Sequence, residues 1–126
     1  MTKEQFLAFS LPFNLFCQVI DKGSDPKIAA LGAVYVDGQV SFFDTIESNH
    51  GFSSVKPLLF PLTDFEKLNL DITDEISIIN RIEKKDIIGS LDFSLVLRLI
   101  EEHFDILGLI ENDEAINVNS LANFHY

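Results

Sequence analysis

Carboxylates surround one histidine near the end of the chain, at Glu101, Glu102, His103 and Asp105. A histidine flanked by carboxylates can act as a general base when a pocket lies above it. Adjacent side chains on a helix point about 100° apart, however, so Glu102 and His103 do not face one another. The pattern therefore favours a structural His103, and no catalytic residue is predicted.

The spacing of histidines and acids gives little support for metal chemistry. His50, His103 and His125 are far apart, and none has a Cys or His at a metal-ligand spacing. Residues 111–119 are rich in oxygen ligands, but they lack the spacing and the central glycine of an EF-hand. We therefore predict no metal and no cofactor, and we interpret residues 111–114 as a solvated loop.

Motifs for nucleophiles and phosphates are also absent from the sequence. Cys17 is the single cysteine and stands among apolar residues, which is typical of a buried small hydrophobe. The serines include no G-x-S-x-G elbow, and the six glycines form no Walker or dinucleotide motif. An enzyme would therefore need a site that only the fold assembles.

Charge is concentrated in the second half of the chain. The 126 residues carry a net charge of −11, and residues 63–126, with fourteen acidic and five basic residues, account for −9 of it. Such a surface disfavours direct binding to nucleic acid or an anionic membrane and favours a protein partner with a basic surface. The alternative is that acidity only keeps a Phe-rich protein in solution. The predicted partner-binding residues are Glu101, Glu102, Asp105, Glu111, Asp113 and Glu114.

Composition indicates one folded domain spanning residues 1–126. Hydrophobic residues make up 47% of the chain, and a chain of this length buries roughly two thirds of its surface on folding. No stretch reaches the run of about 18 apolar residues that a membrane helix needs, and the opening residues do not resemble a signal peptide, so a cytoplasmic location is expected. Twelve phenylalanines leave much apolar surface, and a homodimer is one way to cover it.

The dipeptide Asp37-Gly38 between two apolar runs predicts a β-hairpin. Its expected turn is a two-residue type I′ turn, which pairs Val36 with Gln39. The alternation of side chains then places one set of residues on the expected core face, namely Leu31, Ala33, Tyr35, Val40, Phe42 and Asp44.

The apolar stripe of residues 90–107 predicts one long amphipathic helix, with Ser90 as its N-cap and Asp105 facing solvent. Shorter helices are expected after Thr2, from Thr63 to about Asn69, and over residues 74–85, where a strand is the alternative. Strands are expected over 13–20 and 115–119, and 55–62 is expected to be an edge strand or an extended segment because it contains two prolines. The predicted fold class is α+β: a small antiparallel sheet with a central β-hairpin, one long amphipathic C-terminal helix, and one or two shorter helices packed on it.

Three islands of sequence stand out: SLPF at residues 10–13, KPLLFPL at 56–62, and HFDILGLI at 103–110 followed by AINVN at 115–119. In this order they resemble a family of small uncharacterised proteins encoded by bacteriophages and prophages. Family members often carry a glycine just before the segment matching Ala115 and an aspartate where Asn117 stands, so this chain departs from the family in that loop. The resemblance implies a phage context and no assigned activity.

Small acidic phage proteins tend to act stoichiometrically on other proteins. The resemblance and the charge together predict a non-enzymatic accessory protein in the bacterial host cell, which inhibits a host protein through its acidic surface. One alternative is a virion or scaffolding component. The other is an enzyme with a fold-assembled site.

Overall fold

The computed structural model describes residues 1–20, 25–43, 50–84 and 92–126. These residues form an α+β fold built on a six-stranded sheet with the order β4-β3-β2-β1-β5-β6. Neighbouring strands are antiparallel except β5 and β6, which are parallel. The strands are β1 (Phe16–Val19), β2 (Lys27–Val34), β3 (Gln39–Phe42), β4 (His50–Gly51), β5 (Lys56–Leu59) and β6 (Ile116–Asn117). The predicted α+β class and the mostly antiparallel sheet are confirmed.

Three α-helices occur in the described residues: α1 (Lys3–Ser10), α2 (Ile72–Lys84) and α3 (Phe93–Glu101). Thr2 caps α1, since its side chain accepts a hydrogen bond from the Gln5 backbone N–H while the Gln5 side chain accepts one from the Thr2 N–H. Side chains of α1 and α3 and of the strands share one buried cluster, which includes Phe6, Leu7, Leu15, Cys17, Leu31, Val40, Leu59, Leu95, Leu99 and Ile100.

The hairpin of β2 and β3 has a longer turn than predicted. The Tyr35 N–H donates to the Gln39 carbonyl over 2.8 Å, which leaves Val36, Asp37 and Gly38 as a three-residue loop. Gly38 takes a φ of +83°, which glycine adopts at low cost, and the Asp37 carboxylate accepts the Gln39 N–H over 3.1 Å. The predicted pairing of Val36 with Gln39 is therefore wrong.

The hairpin is only half central in the sheet. The two central strands are β2 and β1, whereas β3 lies further out and is bordered by β4. The register shifts at Gly32, where an added Cβ would lie 3.4 Å from backbone atoms of Ser41 and Phe42. Leu31 and Phe42 are buried as predicted, whereas Tyr35 is exposed because it lies at the end of the ladder, beside the loop.

The C-terminal helix is shorter than the predicted helix over 90–107. α3 begins after Asp92, whose carboxylate accepts the Ser94 N–H over 3.3 Å. The predicted N-cap Ser90 lies outside the described residues. α3 ends at Glu101, so the helix predicted for the following residues is wrong.

The chain leaves the helix in order to pair with the end of β5. His103 has a φ of +66°, which a helix does not tolerate. The His103 carbonyl then accepts the Phe60 N–H over 2.8 Å, and the Asp105 N–H donates to the Phe60 carbonyl over 2.9 Å. These long-range bonds give partners to backbone groups that would have bonded within the helix if it had continued.

Three other predicted segments can be compared directly with the structure. The helix predicted over 74–85 is confirmed as α2, although Ile76 and Ile79 of its apolar repeat are exposed. Where a short helix is predicted from Thr63 to about Asn69, residues 62–67 form a 3-10 helix that follows Pro61 and has no side-chain cap. β5 lies between β1 and β6 despite Pro57, because only alternate residues of an antiparallel strand bond to a given neighbour.

Candidate functional site

The six predicted partner-binding carboxylates divide into two groups. Asp105 is 6% exposed, so the prediction that it faces solvent is wrong. The other five are exposed, with two at the end of α3 and three in residues 111–114, which we call the acidic loop: Glu101, Glu102, Glu111, Asp113 and Glu114. Asp105 is therefore not part of the exposed acidic surface.

Asp105 instead anchors the backbone that leads into the acidic loop. Its two carboxylate oxygens accept the N–H groups of Leu109 over 2.8 Å and of Ile110 over 2.9 Å. Gly108 makes the tight turn possible with a φ of +73°. Burial raises the pKa of Asp105, and its backbone hydrogen bonds oppose that shift. The sequence signal that could have revealed this role is an aspartate placed three residues before a glycine in an apolar segment.

Backbone hydrogen bonds hold the acidic loop itself. The Glu114 N–H donates to the Leu109 carbonyl over 2.9 Å, and the Asp113 N–H donates to the Ile110 carbonyl over 3.2 Å. The Asp113 carboxylate lies 3.1 Å from the Lys56 ammonium group but remains 88% exposed. The loop thus presents its carboxylates to solvent from a fixed backbone.

His103, the one histidine among these carboxylates, is occupied by structural contacts. Its Nε2 lies 2.6 Å from the Phe13 carbonyl oxygen, and because a carbonyl only accepts, Nε2 carries the hydrogen. Its ring stacks on Tyr126 at a centroid distance of 3.8 Å. Burial lowers the pKa of His103, while the bond to Phe13 and the charge of Glu102 oppose the shift. These contacts support the structural role that the sequence favours.

Tyr126 replaces a missing pair in the sheet. β1 and β5 pair at Gln18 with Lys56 and at Cys17 with Pro57, so Phe16 and Leu58 would form the next pair. The Tyr126 hydroxyl lies between them instead, where it accepts the Phe16 N–H over 3.2 Å and donates to the Leu58 carbonyl over 2.6 Å. Burial of this hydroxyl raises its pKa. No sequence pattern predicts a side chain acting as a strand partner over this separation.

An aromatic cluster forms around this hydroxyl. We call it the Tyr126 cluster and define it by the rings of Phe16, Phe60, His103, Phe124 and Tyr126. The Phe124 ring lies 5.0 Å from Tyr126 and 5.2 Å from Phe16 in edge-to-face arrangements, which are favourable for aromatic pairs. The segment that follows β6 is therefore packed against the sheet.

Cys17 is fully buried in the core, as its sequence environment predicts. Burial raises the pKa of its thiol to about 12. The positive charge of Lys3 lowers the pKa of this thiol and so opposes the effect of burial. The Lys3 ammonium group itself donates to the Val55 carbonyl over 2.7 Å. A thiol with such a pKa stays protonated near neutral pH, so Cys17 is unsuited to act as a nucleophile.

A cavity of about 360 Å³ opens beside the base of the acidic loop. We call it the Arg81 cavity, because Arg81 is the one basic side chain among the described residues that line it. The remaining lining residues are Pro61, Leu62, Thr63, Ile82, Asp105, Ile106, Leu107, Gly108, Ile110, Glu111 and Asn112. Sequence analysis missed this cavity, because segments distant in the chain assemble it.

Within the described residues, no group of three or more His, Cys, Asp or Glu side chains is arranged to hold a metal ion. None of the helices in the same part of the chain is long and apolar enough to cross a membrane. No protein-family model, curated protein or solved structure matches this chain. Its candidate sites are therefore interpreted from the geometry of its own residues.

Proposed function

We propose that the protein is a non-catalytic binding protein that captures a basic surface of a partner protein. The observation that carries the proposal is the set of five exposed carboxylates, three of them on a loop whose backbone is anchored by the buried Asp105. A fixed loop loses little conformational freedom when a partner binds. The structural uses of His103 and Cys17 further favour binding over catalysis.

Electrostatic attraction accounts for how such a surface would work. Complementary charge mainly accelerates association and suppresses unsuitable partners. The Debye length falls from about 10 Å at 0.1 M salt to about 3 Å at 1 M. Association with the partner is therefore expected to slow as salt rises.

The proposed setting is the cytoplasm of a bacterium carrying a phage, where the protein acts as an accessory factor and inhibits a host protein. The resemblance of the islands at residues 10–13, 56–62 and 103–119 to small phage proteins supports this setting. Purified virions provide the test. Early expression and absence from particles are expected, whereas stoichiometric presence in virions would favour a structural component of the particle.

Affinity purification from infected cells identifies the partner, and two charge-matched variants then test the surface. The first combines Glu101→Gln, Glu102→Gln and Glu114→Gln. The control combines Asp25→Asn, Glu66→Gln and Glu83→Gln, three exposed acids outside the proposed surface. Both variants raise the net charge by three.

The first variant is expected to slow association by about tenfold or more in low salt, which is the lower range of electrostatic steering. The control is expected to have a much smaller effect, because its charges lie elsewhere. Equal slowing by the two variants would mean that overall charge, and not this surface, governs association. Association at the wild-type rate by both would reject the proposed interface.

A further inference from the structure

We propose that the Arg81 cavity binds a small monocarboxylate with an apolar body. The proposal concerns a different ligand from the protein interface above, and the two sites share Glu111. It depends on a half-buried cation that has almost none of its hydrogen-bonding capacity in use. It depends equally on the chemistry of the side chains around that cation.

The guanidinium of Arg81 is poorly satisfied. Of its five N–H donors, only Nη2 has a partner in the described residues, the Ile106 carbonyl oxygen at 3.2 Å. Nε is buried and has no hydrogen-bond partner. Nη1 also has no partner among those residues, but unlike Nε it retains accessible surface. A half-buried arginine normally pairs with a carboxylate, because an uncompensated charge is costly there.

The nearby carboxylate does not provide that compensation. Asp105 lines the same cavity, but its two oxygens accept the N–H groups of Leu109 and Ile110. No ion pair forms between Asp105 and Arg81 within 4.0 Å. The cavity therefore contains a carboxylate whose hydrogen bonds are made and a cation whose hydrogen bonds are not.

The unused donors of Arg81 suit a planar anion. Nη1 and one hydrogen of Nη2 have no partner in the described residues, and arginine favours two-pronged contacts with carboxylates. The cavity volume of about 360 Å³ lies within the range of small-molecule sites. Its aliphatic lining then faces the rest of the ligand: Leu62, Ile82, Ile106, Leu107 and Ile110.

Local charge selects a monoanion. Asp105 and Glu111 both line the cavity, and the chain as a whole carries a net charge of −11. A phosphate dianion would meet repulsion from both carboxylates, and the described lining offers it one cation, Arg81. A singly charged carboxylate meets half that repulsion and keeps the full contact with Arg81.

The test uses 4-methylpentanoate as the probe, titrated into the isotopically labelled wild-type protein and followed by amide chemical shifts. The neutral isostere 4-methylpentanamide and inorganic phosphate are titrated in parallel. The carboxylate is expected to give saturable shifts at Gly108 and its neighbours, with a Kd of about 1 mM. The amide and phosphate are expected to bind at least about tenfold more weakly.

Two arginine variants localise the effect. Arg81→Gln is expected to weaken binding of 4-methylpentanoate by at least about tenfold, whereas Arg98→Gln, which removes an exposed arginine of α3, is expected to leave it unchanged. Thermal unfolding of each variant verifies that the fold is kept. Equal binding of carboxylate and amide to the wild-type protein would overturn the proposal, as would tighter binding of phosphate or no saturation at about ten times the expected Kd. The comparison of probes on the wild-type protein decides the matter even if Arg81→Gln fails to fold.

Discussion

The Tyr126 cluster and the Arg81 cavity are built from the same pair of segments, residues 60–62 and 103–106. Phe60 and His103 contribute rings to the cluster, whereas Leu62 and Asp105 line the cavity. In the cluster, the tyrosine hydroxyl and the Nε2 of the histidine have backbone partners. In the cavity, the arginine has an unpaired buried nitrogen. Buried polar groups are usually satisfied, so the difference identifies the cluster as structural and the cavity as the candidate for ligand binding.

The largest expected effect on the free energy of unfolding comes from a substitution in the core that packs against the Tyr126 cluster. Phe104 is 2% exposed, and its ring lies 5.6 Å from that of Phe60. Phe104→Ala should lower the free energy of unfolding by about 3 to 5 kcal/mol, because it removes a large side chain from a packed core. Urea denaturation measures the change.

Phe93→Ala is the matched control, because Phe93 is 71% exposed on α3. It should change the free energy of unfolding by no more than about 0.5 kcal/mol. Similar losses in the two variants would show that the burial of Phe104 is not what stabilises this region.

Tyr126→Phe probes the polar half of the cluster. Removing the hydroxyl leaves the Phe16 N–H and the Leu58 carbonyl without this partner, and an unsatisfied buried group costs about 1 to 3 kcal/mol. Tyr35→Phe removes a hydroxyl that makes no hydrogen bond to the described residues and should be nearly neutral. Denaturation curves of the two variants that coincide would contradict the role assigned to the Tyr126 hydroxyl.

The parts of the fold that sequence could predict are those set by local chemistry. Thr2 and Gln5 form their capping box within one turn of helix, and of the helix and the strand considered for residues 74–85, the helix is the one found, as α2. The alternation in β2 and β3 correctly placed Leu31, Val40 and Phe42 in the core. In each case the deciding residues are neighbours in the chain or alternate along a strand.

The parts that sequence could not predict depend on distant partners. Phe104 fits the apolar stripe of a helix, yet it is buried through a bridge to Phe60. Asp105 fits the polar face of that same helix, but once the helix ends its carboxylate turns to the N–H groups of Leu109 and Ile110. Of the predicted partner-binding surface, exposure holds for the five acids at 101, 102, 111, 113 and 114, and their role in binding stays a prediction.

A smaller effect is expected from titrating His103. Burial places the pKa of this histidine below its ordinary value, so the folded state binds the proton less readily than the unfolded state does. The stability that neutral His103 contributes is present above about pH 6.5 and is lost as the pH falls below that value toward the folded-state pKa. The free energy of unfolding should therefore decrease as the pH is lowered from about 6.5 to about 5.5.

His103→Asn tests the assignment, because asparagine tolerates the positive φ at this position. The fall in stability over the same pH range should be smaller in this variant than in the wild-type protein. His125→Asn, at an exposed histidine near the C-terminal residue Tyr126, serves as the control and should keep the wild-type dependence. An unchanged dependence in His103→Asn would assign the titration to other groups.

The smallest effect is expected on the cavity side, from Arg81→Met. Methionine keeps much of the aliphatic stem and removes the unpaired Nε, which relieves a cost of about 1 to 3 kcal/mol. It also removes the hydrogen bond to the Ile106 carbonyl, which contributes about 0.5 to 1.5 kcal/mol and leaves that oxygen unpaired. The two changes oppose each other, so the free energy of unfolding should move by less than about 1 kcal/mol.

Adding 4-methylpentanoate to the same denaturation experiment should raise the free energy of unfolding of the wild-type protein and not of the variant, because a ligand that binds only the folded state stabilises it. A loss above about 3 kcal/mol for Arg81→Met, the size expected when a buried charged network is broken, would instead make Arg81 as structural as Tyr126, and the contrast between the two regions would no longer hold.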